Sequence, residues 1–381
     1  MRFPEFTGEW EKKQLQEECS FFSGGTPSSS NKEYYDGDIP FIRSGEIDAQ
    51  HTELFLTQKG YNNSSAKMVE IGDLLLALYG ATSGEIAINK IHGAINQAIL
   101  CIRSPYNNVF VKSIWKKHVL HILQTYLQGG QGNLSADIVK KLSFYFPSNR
   151  EQDKISEFVA LVDQRIETQN KIIEDLKTLK SAISARLFKS NIFDKRIKLS
   201  SLGTLKNGYA FQSSTYTIDG QYSILTIANV SGDRYTTNEC NHITEIPNDI
   251  QQYQILKDND ILISLTGNVG RVSLNTGENN LLNQRVGLFQ ISDESLREYI
   301  YQILATPYFE KSMIAKGQGA AQMNISKSDV EEYEIPYTDD KSLIDKVSYT
   351  LYLLDQRIIC AQRLASAYST QKQYLLQQMF I

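Results

Sequence analysis

The stretch GDLLLALYGATSG (Gly72–Gly84) recurs later in the chain as NDILISLTGNVG (Asn259–Gly270). Asp73 in the first stretch matches Asp260 in the second, 187 positions further on. Each stretch is an apolar run closed by glycine, which is typical of a buried β-strand that ends in a turn. A strand and turn that occur twice in this way indicate a chain built from two copies of one domain.

The duplication extends over both halves of the chain. The further matching pairs are Asn96-Gln97 with Asn283-Gln284, GQGNLS (Gly130–Ser135) with the G-Q-G…N-I-S of Gly317–Ser326, Pro147 with Pro336, and LVDQRI (Leu161–Ile166) with LLDQRI (Leu353–Ile358). Their spacing changes only from 187 to 192 residues along the chain. The matching segments follow the same order in both halves, and there are only two copies. Because arrays of small repeats need three or more units, this predicts two similar domains in tandem.

Each copy begins with a mixed α and β part. Short β-type runs separated by Gly and Asn turns alternate with helical stretches such as Val109–Leu127. The predicted class is therefore α+β, with each mixed part forming a small sheet plus helices. We place these two domains at residues 1–150 and 196–338.

Each copy ends in a long helical tract. Glu151–Phe188 contains no Gly or Pro, and at 1.5 Å per residue such a helix is about 55 Å long. We place the long helices at residues 151–195 and 339–381. Apolar residues at heptad spacing predict the seam of the first as Ile155, Phe158, Val162, Ile172, Leu176, Leu179 and Ile183. Paired antiparallel, the two helices would form an intramolecular coiled coil that relates the copies by pseudo-two-fold symmetry and holds the domains apart.

Composition limits the possible functions. The chain has 381 residues, 41% hydrophobic and 22% charged, and its net charge of -4 excludes nucleic-acid binding through bulk positive charge. No apolar run approaches the ~20 residues that span a bilayer, so we expect no membrane association. The four cysteines stand alone without a CxxC pair, which favours the reducing cytoplasm.

Motifs for catalysis are absent from the sequence. It contains no GxxxxGK[ST], strand-borne GxGxxG, HExxH or GxSxG pattern, and no Asn/Asp-Pro-Pro-Tyr loop of the adenine methyltransferase type. His118 and His121 could share a metal, but without a third ligand nearby they are expected to be an ordinary pair. We therefore predict a protein with no catalytic residue, metal or cofactor of its own.

Several segments resemble one family. They are RFPEF (Arg2–Phe6), SGGTPSSSNKEYYDGDIPFIRSGEID (Ser23–Asp48), LLLALYGATSGEIAI (Leu74–Ile88), the GQGNLS loop, the Pro147…Glu151-Gln152 junction and LLQQMF (Leu375–Phe380). Together with the duplication they are similar to the specificity subunits of type I restriction-modification systems. The second copy departs in one place, where NGYAFQSS (Asn207–Ser214) replaces the GGTPS segment.

The resemblance implies that each mixed domain is a target-recognition domain that reads one half of a bipartite, asymmetric double-stranded DNA target. The long helices would set the gap between the halves and dock two methyltransferase subunits, which carry S-adenosylmethionine. Two restriction subunits would add ATP- and Mg-dependent translocation and cleavage. Two other classes of protein are a coiled-coil scaffold without sequence-specific DNA binding and a duplicated enzyme, although the sequence lacks catalytic groups. Within the family, the chain could instead be the specificity subunit of a methylation-only or cut-beside-target system.

Candidate DNA-binding residues lie in polar loops after β-type runs. Arg, Asn and Gln can pair bidentately with base edges, and hydroxyl groups can reach bases or phosphates. The candidates are Arg43, Tyr79, Thr82, Gln131 and Asn133 in the first domain, and Gln212, Asn268, Arg271, Arg285, Gln318 and Asn324 in the second. A basic run at Lys171–Lys198 is either a solvated helix face or a contact surface for phosphate or a partner. Its candidates for that contact are Lys177, Lys180, Arg186 and Lys189.

Overall fold

The computed structural model describes residues 2–126, 134–237, 239–317 and 323–380. The chain forms two compact units, unit 1 (Met1–Gln169 with Leu364–Ile381) and unit 2 (Asn170–Arg363). Each unit therefore contains a mixed domain and a segment of each long helix. The candidate residues Gln131, Asn133 and Gln318 lie outside the described residues.

Unit 1 contains ten described strands and the first five helices. The strands are β1 (Glu11–Gln14), β2 (Ser20–Ser23), β3 (Tyr35–Ile42), β4 (Phe55–Leu56), β5 (Lys67–Val69), β6 (Leu74–Ala77), β7 (Ile86–Ile88), β8 (Gly93–Ile95), β9 (Ile99–Arg103) and β10 (Ser143–Phe146). The helices are α1 (Leu15–Glu18), α2 (Gln58–Asn62), α3 (Asn108–Tyr126), α4 (Ala136–Lys141) and α5 (Asn149–Lys189), whose second half belongs to unit 2. The sheets have the orders β2-β9-β6-β7, β4-β3-β8-β5 and β1-β10.

Unit 2 repeats this arrangement. Its described strands are β11 (Lys195–Lys198), β12 (Gly203–Asn207), β13 (Tyr222–Leu225), β14 (Asn241–Ile243), β15 (Ile261–Ser264), β16 (Val272–Leu274), β17 (Asn280–Leu282), β18 (Val286–Ile291) and β19 (Glu334–Tyr337). Its helices are α6 (Arg297–Leu304), α7 (Pro307–Gly317), α8 (Lys327–Glu331) and α9 (Lys341–Met379), whose last part belongs to unit 1. The sheet orders are β12-β18-β15-β16, β14-β13-β17 and β11-β19, so the α+β class and the tandem duplication are confirmed.

Strand β6 shows why the repeated apolar run folds as it does. Successive side chains of a strand point to opposite faces. Leu74 and Leu76 therefore pack into the core that contains Trp115 of α3, whereas Leu75 packs into a second core with Ile42 at the end of β3. Because both faces of β6 are covered, the run is continuously apolar rather than alternating.

Two glycines allow the backbone to pass close to the sheet. A β-carbon on Gly24, which follows β2, would lie 1.7 Å from the carbonyl oxygen of Ile95. A β-carbon on Gly208, which follows β12, would lie 2.1 Å from the carbonyl oxygen of Asn283. Glycine is needed at both places because no other residue leaves this space free.

The long helices are antiparallel in each unit. In unit 1, Lys372 of α9 donates a hydrogen bond to Asp163 of α5, and Arg165 lies over the ring of Tyr368 at 5.2 Å. The residue numbers of the contacting partners therefore decrease along α9 as they increase along α5. The predicted antiparallel pairing of the two long helices is confirmed within each unit.

The predicted seam of α5 is wrong at Ile172 and Leu179. Ile172 is 42% exposed and Leu179 is 48% exposed, whereas their neighbours Ile173 and Lys180 are turned inward. The inward positions include Val162, Ile166, Gln169, Ile173, Leu176, Lys180, Ile183 and Leu187, which follow one another at alternating steps of four and three. Apolar spacing alone does not identify this seam, because the charged residue Lys180 occupies one of the inward positions.

Candidate nucleic-acid interface

In unit 1 a polar cluster lies where β6 ends and β9 begins. Tyr79, two residues after the end of β6, donates its hydroxyl hydrogen to the carbonyl oxygen of Gln97. The hydroxyl group of Thr26 donates to Oε1 of Gln97 at 2.6 Å. The side chain of Asn96 accepts from the backbone N–H of Ala98 at 3.0 Å and so fixes the turn before β9. We call Thr26, Tyr79 and Gln97 the strand-end cluster.

In unit 2 the same place is an open groove of about 690 Å³. Its polar lining residues are Asn207, Thr266, Gln284, Arg285, Asn324, Ser326 and Lys327, and we call this the strand-end groove. Asn283 accepts from the backbone N–H of Arg285 at 3.2 Å, as Asn96 does from Ala98 in unit 1. The repeated Asn-Gln dipeptide thus builds the same turn twice, with Gln97 and Gln284 exposed beside it.

Backbone hydrogen bonds hold the walls of this groove. The carbonyl of Arg285 accepts from the N–H of Leu265 at 3.0 Å, and the N–H of Ile325 donates to the carbonyl of Leu265 at 3.0 Å. The Arg285 and Asn324 side chains are exposed on these two ordered segments. The structure therefore brings two predicted residues together on one rigid surface.

Four other predicted residues lie apart from the groove lining. Asn268 and Arg271 are in the β15–β16 turn, where Nε of Arg271 lies 3.5 Å from a carboxylate oxygen of Glu310. Thr82 occupies the corresponding β6–β7 turn of unit 1, and its carbonyl accepts from the N–H of Glu85 at 2.9 Å. Gln212 lines a separate cavity beside Phe211. No observation tests these four, or the predicted residues of the groove, as DNA contacts, so all of them stay predictions.

Arg43 is engaged inside unit 1. Its Nη2 donates to Glu46 at 2.8 Å and to Glu53 at 2.9 Å, and its Nε donates to Glu46 at 3.1 Å. The hydrogen bonds from Arg43 lower the pKa of the Glu46 carboxyl to about 2. Arg43 is thus held by two carboxylates within unit 1, and its role as a DNA contact stays a prediction.

The basic run has several internal partners. Nζ of Lys180 donates to Asp355 at 2.6 Å, and both side chains are largely buried. Nζ of Lys177 lies 3.8 Å from a carboxylate oxygen of Asp233. Lys189 lies over the ring of Tyr308 at 4.7 Å, and Arg186 is exposed. Lys180 is thus engaged within unit 2, whereas Lys177, Arg186 and Lys189 are more accessible. A contact of any of the four with phosphate or a partner stays a prediction.

Sequence reasoning missed Thr26, Gln97, Gln284 and Lys327 as site residues. A signal for the two glutamines was present, because Asn-Gln recurs at the spacing of 187 residues. By itself, that recurrence indicates duplication and not a role in binding. Nothing in the sequence separates Lys327 from other surface lysines, since its place in the groove depends on how α8 packs.

Other kinds of site were also sought. Within the described ranges, no group of three or more His, Cys, Asp or Glu side chains could hold a metal ion. In the same parts of the chain, no helix is long and apolar enough to cross a membrane. His118 is tilted against the ring of Phe144, with centroids 5.6 Å apart.

The chain contains two copies of one α+β domain. Each copy has polar residues at the same strand ends and is continued by a long helix, so the protein is a duplicated one with paired surface sites. The Type I restriction modification DNA specificity domain family matches residues 7–178 and 195–360, one match in each copy. The chain therefore belongs to the family of type I restriction-modification specificity subunits. The resemblance seen in its sequence is confirmed.

Individual relatives agree with this assignment. The type I restriction enzyme MjaVIII specificity subunit of Methanocaldococcus jannaschii is 21% identical over 343 residues, which is 82% of this chain and 78% of the relative. The EcoR124I/EcoR124II specificity subunit of Escherichia coli is 27% identical over 183 residues, 44% of each chain. The crystal structure of the type I S subunit from M. genitalium covers 100% of this chain and 99% of its own with a TM-score of 0.59 at 16% identity, and so shares its fold.

Proposed function

We propose that this chain is the DNA-recognition subunit of a type I restriction-modification complex, and that each unit reads one half of a bipartite, asymmetric target. The observation that carries the proposal is the strand-end groove. It presents Gln284, Arg285 and Asn324 on one ordered surface, and these are the side-chain types that pair bidentately with adenine or guanine edges. The strand-end cluster occupies the equivalent place in unit 1, where Thr26 and Tyr79 accompany the repeated glutamine, as expected if the two halves differ in sequence.

In this proposal the chain contributes recognition and no catalysis. S-adenosylmethionine would be held by methyltransferase subunits, and ATP and Mg by restriction subunits, two of each. Neutralisation of DNA phosphates by basic residues is the main source of affinity for DNA. Because the net charge of this chain is -4, we expect it to leave most of that neutralisation to its partners. We therefore expect tight and specific binding only when the methyltransferase is present.

The exposed faces of the long helices are the proposed docking surface for the methyltransferase. Leu161 on α5 is 58% exposed within unit 1. On unit 2, Ile172 and Leu179 of α5 and Tyr349 and Leu353 of α9 are also exposed. Apolar side chains in rows on helices that already have a partner mark surfaces for a further protein.

The test is a methylation assay of the complex with its methyltransferase on a DNA library randomised in both half-targets. Wild type should methylate one bipartite sequence. Arg285→Ala should relax one base position of the second half-target, with a loss of about 10-fold or more in discrimination there, and leave the first half unchanged. Lys311→Ala, which removes an exposed cation on α7 outside the groove, is the control and should leave the target unchanged.

Two results would count against the proposal. A wild-type complex without any sequence preference would favour a coiled-coil scaffold instead. If Arg285→Ala lowered methylation equally for all sequences, Arg285 would be a phosphate contact and the groove would lose its proposed role.

A further inference from the structure

Arg234 is a buried arginine in the loop that follows β13. Its side chain is 5% exposed. Nη1 donates to Oε1 of Glu298 at 2.8 Å and Nη2 donates to Oε2 of the same carboxylate at 2.6 Å, so the planar guanidinium and the carboxylate meet in a two-pronged contact. Glu298 lies on α6, in the mixed domain of unit 2.

The same guanidinium reaches the long helices. Nη1 of Arg234 also donates to Oδ2 of Asp355 on α9 at 3.0 Å. Nε2 of Gln302 donates to Oδ2 at 2.7 Å, and Nζ of Lys180 on α5 donates to Oδ1 at 2.6 Å. We call Lys180, Arg234, Glu298, Gln302 and Asp355 the buried clamp. It ties a loop and a helix of the mixed domain to both long helices within unit 2.

Aromatic packing fixes the orientation of the arginine. The guanidinium carbon lies 4.9 Å from the ring centroid of Tyr301 on α6 and 4.9 Å from that of Tyr352 on α9. Tyr235 is a third ring at 5.5 Å. Arginine suits this place better than lysine, because only its planar group can stack on rings and bond two carboxylates at once.

The charges of the clamp balance inside unit 2. Two cations, Lys180 and Arg234, face two carboxylates, Glu298 and Asp355. Loss of Arg234 alone would leave two carboxylates facing one cation, with Gln302 as the remaining hydrogen-bond partner of Glu298, and this is destabilising. Joint removal of Arg234 and Glu298 leaves the Lys180–Asp355 pair intact and should be tolerated far better.

Unit 1 has an ion pair between the two long helices but lacks the rest of the clamp in its described residues. Asp163 accepts from Lys372, but in the described part of unit 1 no arginine of the mixed domain joins them. The nearby helix α3 carries Lys112, which lies within electrostatic range of Asp163 and Lys372. The two copies therefore attach their mixed domains to the helices differently.

We propose that Arg234 is a positioning residue that fixes the second recognition domain on α5 and α9, and that the clamp thereby sets which gap between the half-targets is accepted. This rests on the proposed function. Apolar surfaces can slide over one another by a fraction of an ångström, whereas charge-assisted hydrogen bonds hold donor and acceptor within a narrow range of distance and angle. A domain held in this way should tolerate only one position of its half-target.

The test uses the full complex and a set of DNA targets whose two half-targets are native and whose gap is native, one base pair shorter or one base pair longer. Wild type should reject the altered gaps by about 100-fold, since a misplacement of 1 Å can cost that much in rate. The double variant Arg234→Met with Glu298→Met should methylate them within about 10-fold of the native gap. Arg234→Lys keeps the charge but loses the bidentate contact with Glu298. Its discrimination against altered gaps should therefore be intermediate between those of the wild type and the double variant.

The control is Lys59→Gln with Glu33→Gln, which removes an exposed ion pair of unit 1 outside the clamp and should keep the wild-type gap. A double variant that folds and still rejects altered gaps as wild type does would overturn the inference. So would a uniform loss of methylation at all gaps. A wild-type complex without sequence preference would instead count against the proposed function.

Discussion

Lys180 on α5 donates a hydrogen bond to Asp355 on α9, and the pair recurs with the helices exchanged, because Lys372 on α9 donates to Asp163 on α5. Lys372 follows Lys180 by 192 positions, and Asp355 follows Asp163 by the same number. Duplication of one half followed by antiparallel pairing of the two long helices produces this reciprocity. It also explains why each pair is contained within its own unit.

The two pairs should contribute unequally to stability. Asp355 is 7% exposed, so Lys180→Met leaves a buried carboxylate with only Arg234 and Gln302, and we expect a loss of about 1–3 kcal/mol in the free energy of unfolding. Asp163 is 36% exposed, and Lys372→Met should cost about 1 kcal/mol or less. Urea unfolding of the two variants measures the difference. Equal losses would mean that burial does not distinguish the pairs.

Acid should weaken the contact between Arg43 and Glu46. The folded-state pKa of Glu46 is lowered to about 2 from 4.5, so its contribution is complete above pH 4.5 and is lost as the pH falls towards 2. The difference in unfolding free energy between wild type and Glu46→Gln should therefore be larger at about pH 6 than at about pH 3. Urea unfolding at both pH values checks this. A difference that grows on acidification would contradict the assignment.

The secondary structure of this chain is predictable from its sequence because the apolar runs are strong. Strands β6 and β15 and helix α5 were each expected from their patterns, and the structure contains them. The seam of α5 was harder. Lys180 is inward because Asp355 neutralises it from α9, and a partner 175 positions away leaves no local signal.

The site was predicted less completely for a related reason. Arg43 has the chemistry of a base reader, but Glu53, ten positions further on, folds back to hold it. Gln97 has less obvious chemistry, yet the turn built by Asn96 exposes it at the strand end. Residue type alone therefore cannot separate readers from structural residues, since tertiary partners decide which side chains remain available.

Gly24 should not tolerate a side chain. A β-carbon there would lie 1.7 Å from a backbone oxygen, so Gly24→Ala must displace the segment after β2, and we expect a loss of about 2 kcal/mol or more in unfolding free energy. Gly45 has nothing within 4 Å of such an atom. Gly45→Ala is therefore the matched control and should change stability by about 0.5 kcal/mol or less. Thermal or urea unfolding compares them, and a neutral Gly24→Ala would show that this close approach is not required.

The repeated glutamines should act on separate half-targets. Gln97→Ala removes an exposed amide from the strand-end cluster, and Gln284→Ala removes its counterpart from the strand-end groove. If both read bases, each variant relaxes one position in its own half-target by about 10-fold. Methylation mapping of the two variants distinguishes the halves. Relaxation of both halves by one variant would be inconsistent with independent recognition by the two units.

The length of the long helices should set the gap between the half-targets. The units divide α5 between Gln169 and Asn170 and α9 between Arg363 and Leu364, so seven residues inserted at both places preserve the heptad phase and leave each unit intact. Seven residues lengthen a helix by ~10 Å, which corresponds to about three base pairs of DNA. Methylation mapping should then find unchanged half-targets separated by a gap about three base pairs longer. The same insertion in α5 alone should abolish activity, because it puts the two helices out of register. An active double-insertion variant with the native gap would mean that the helices dock the methyltransferase without measuring DNA.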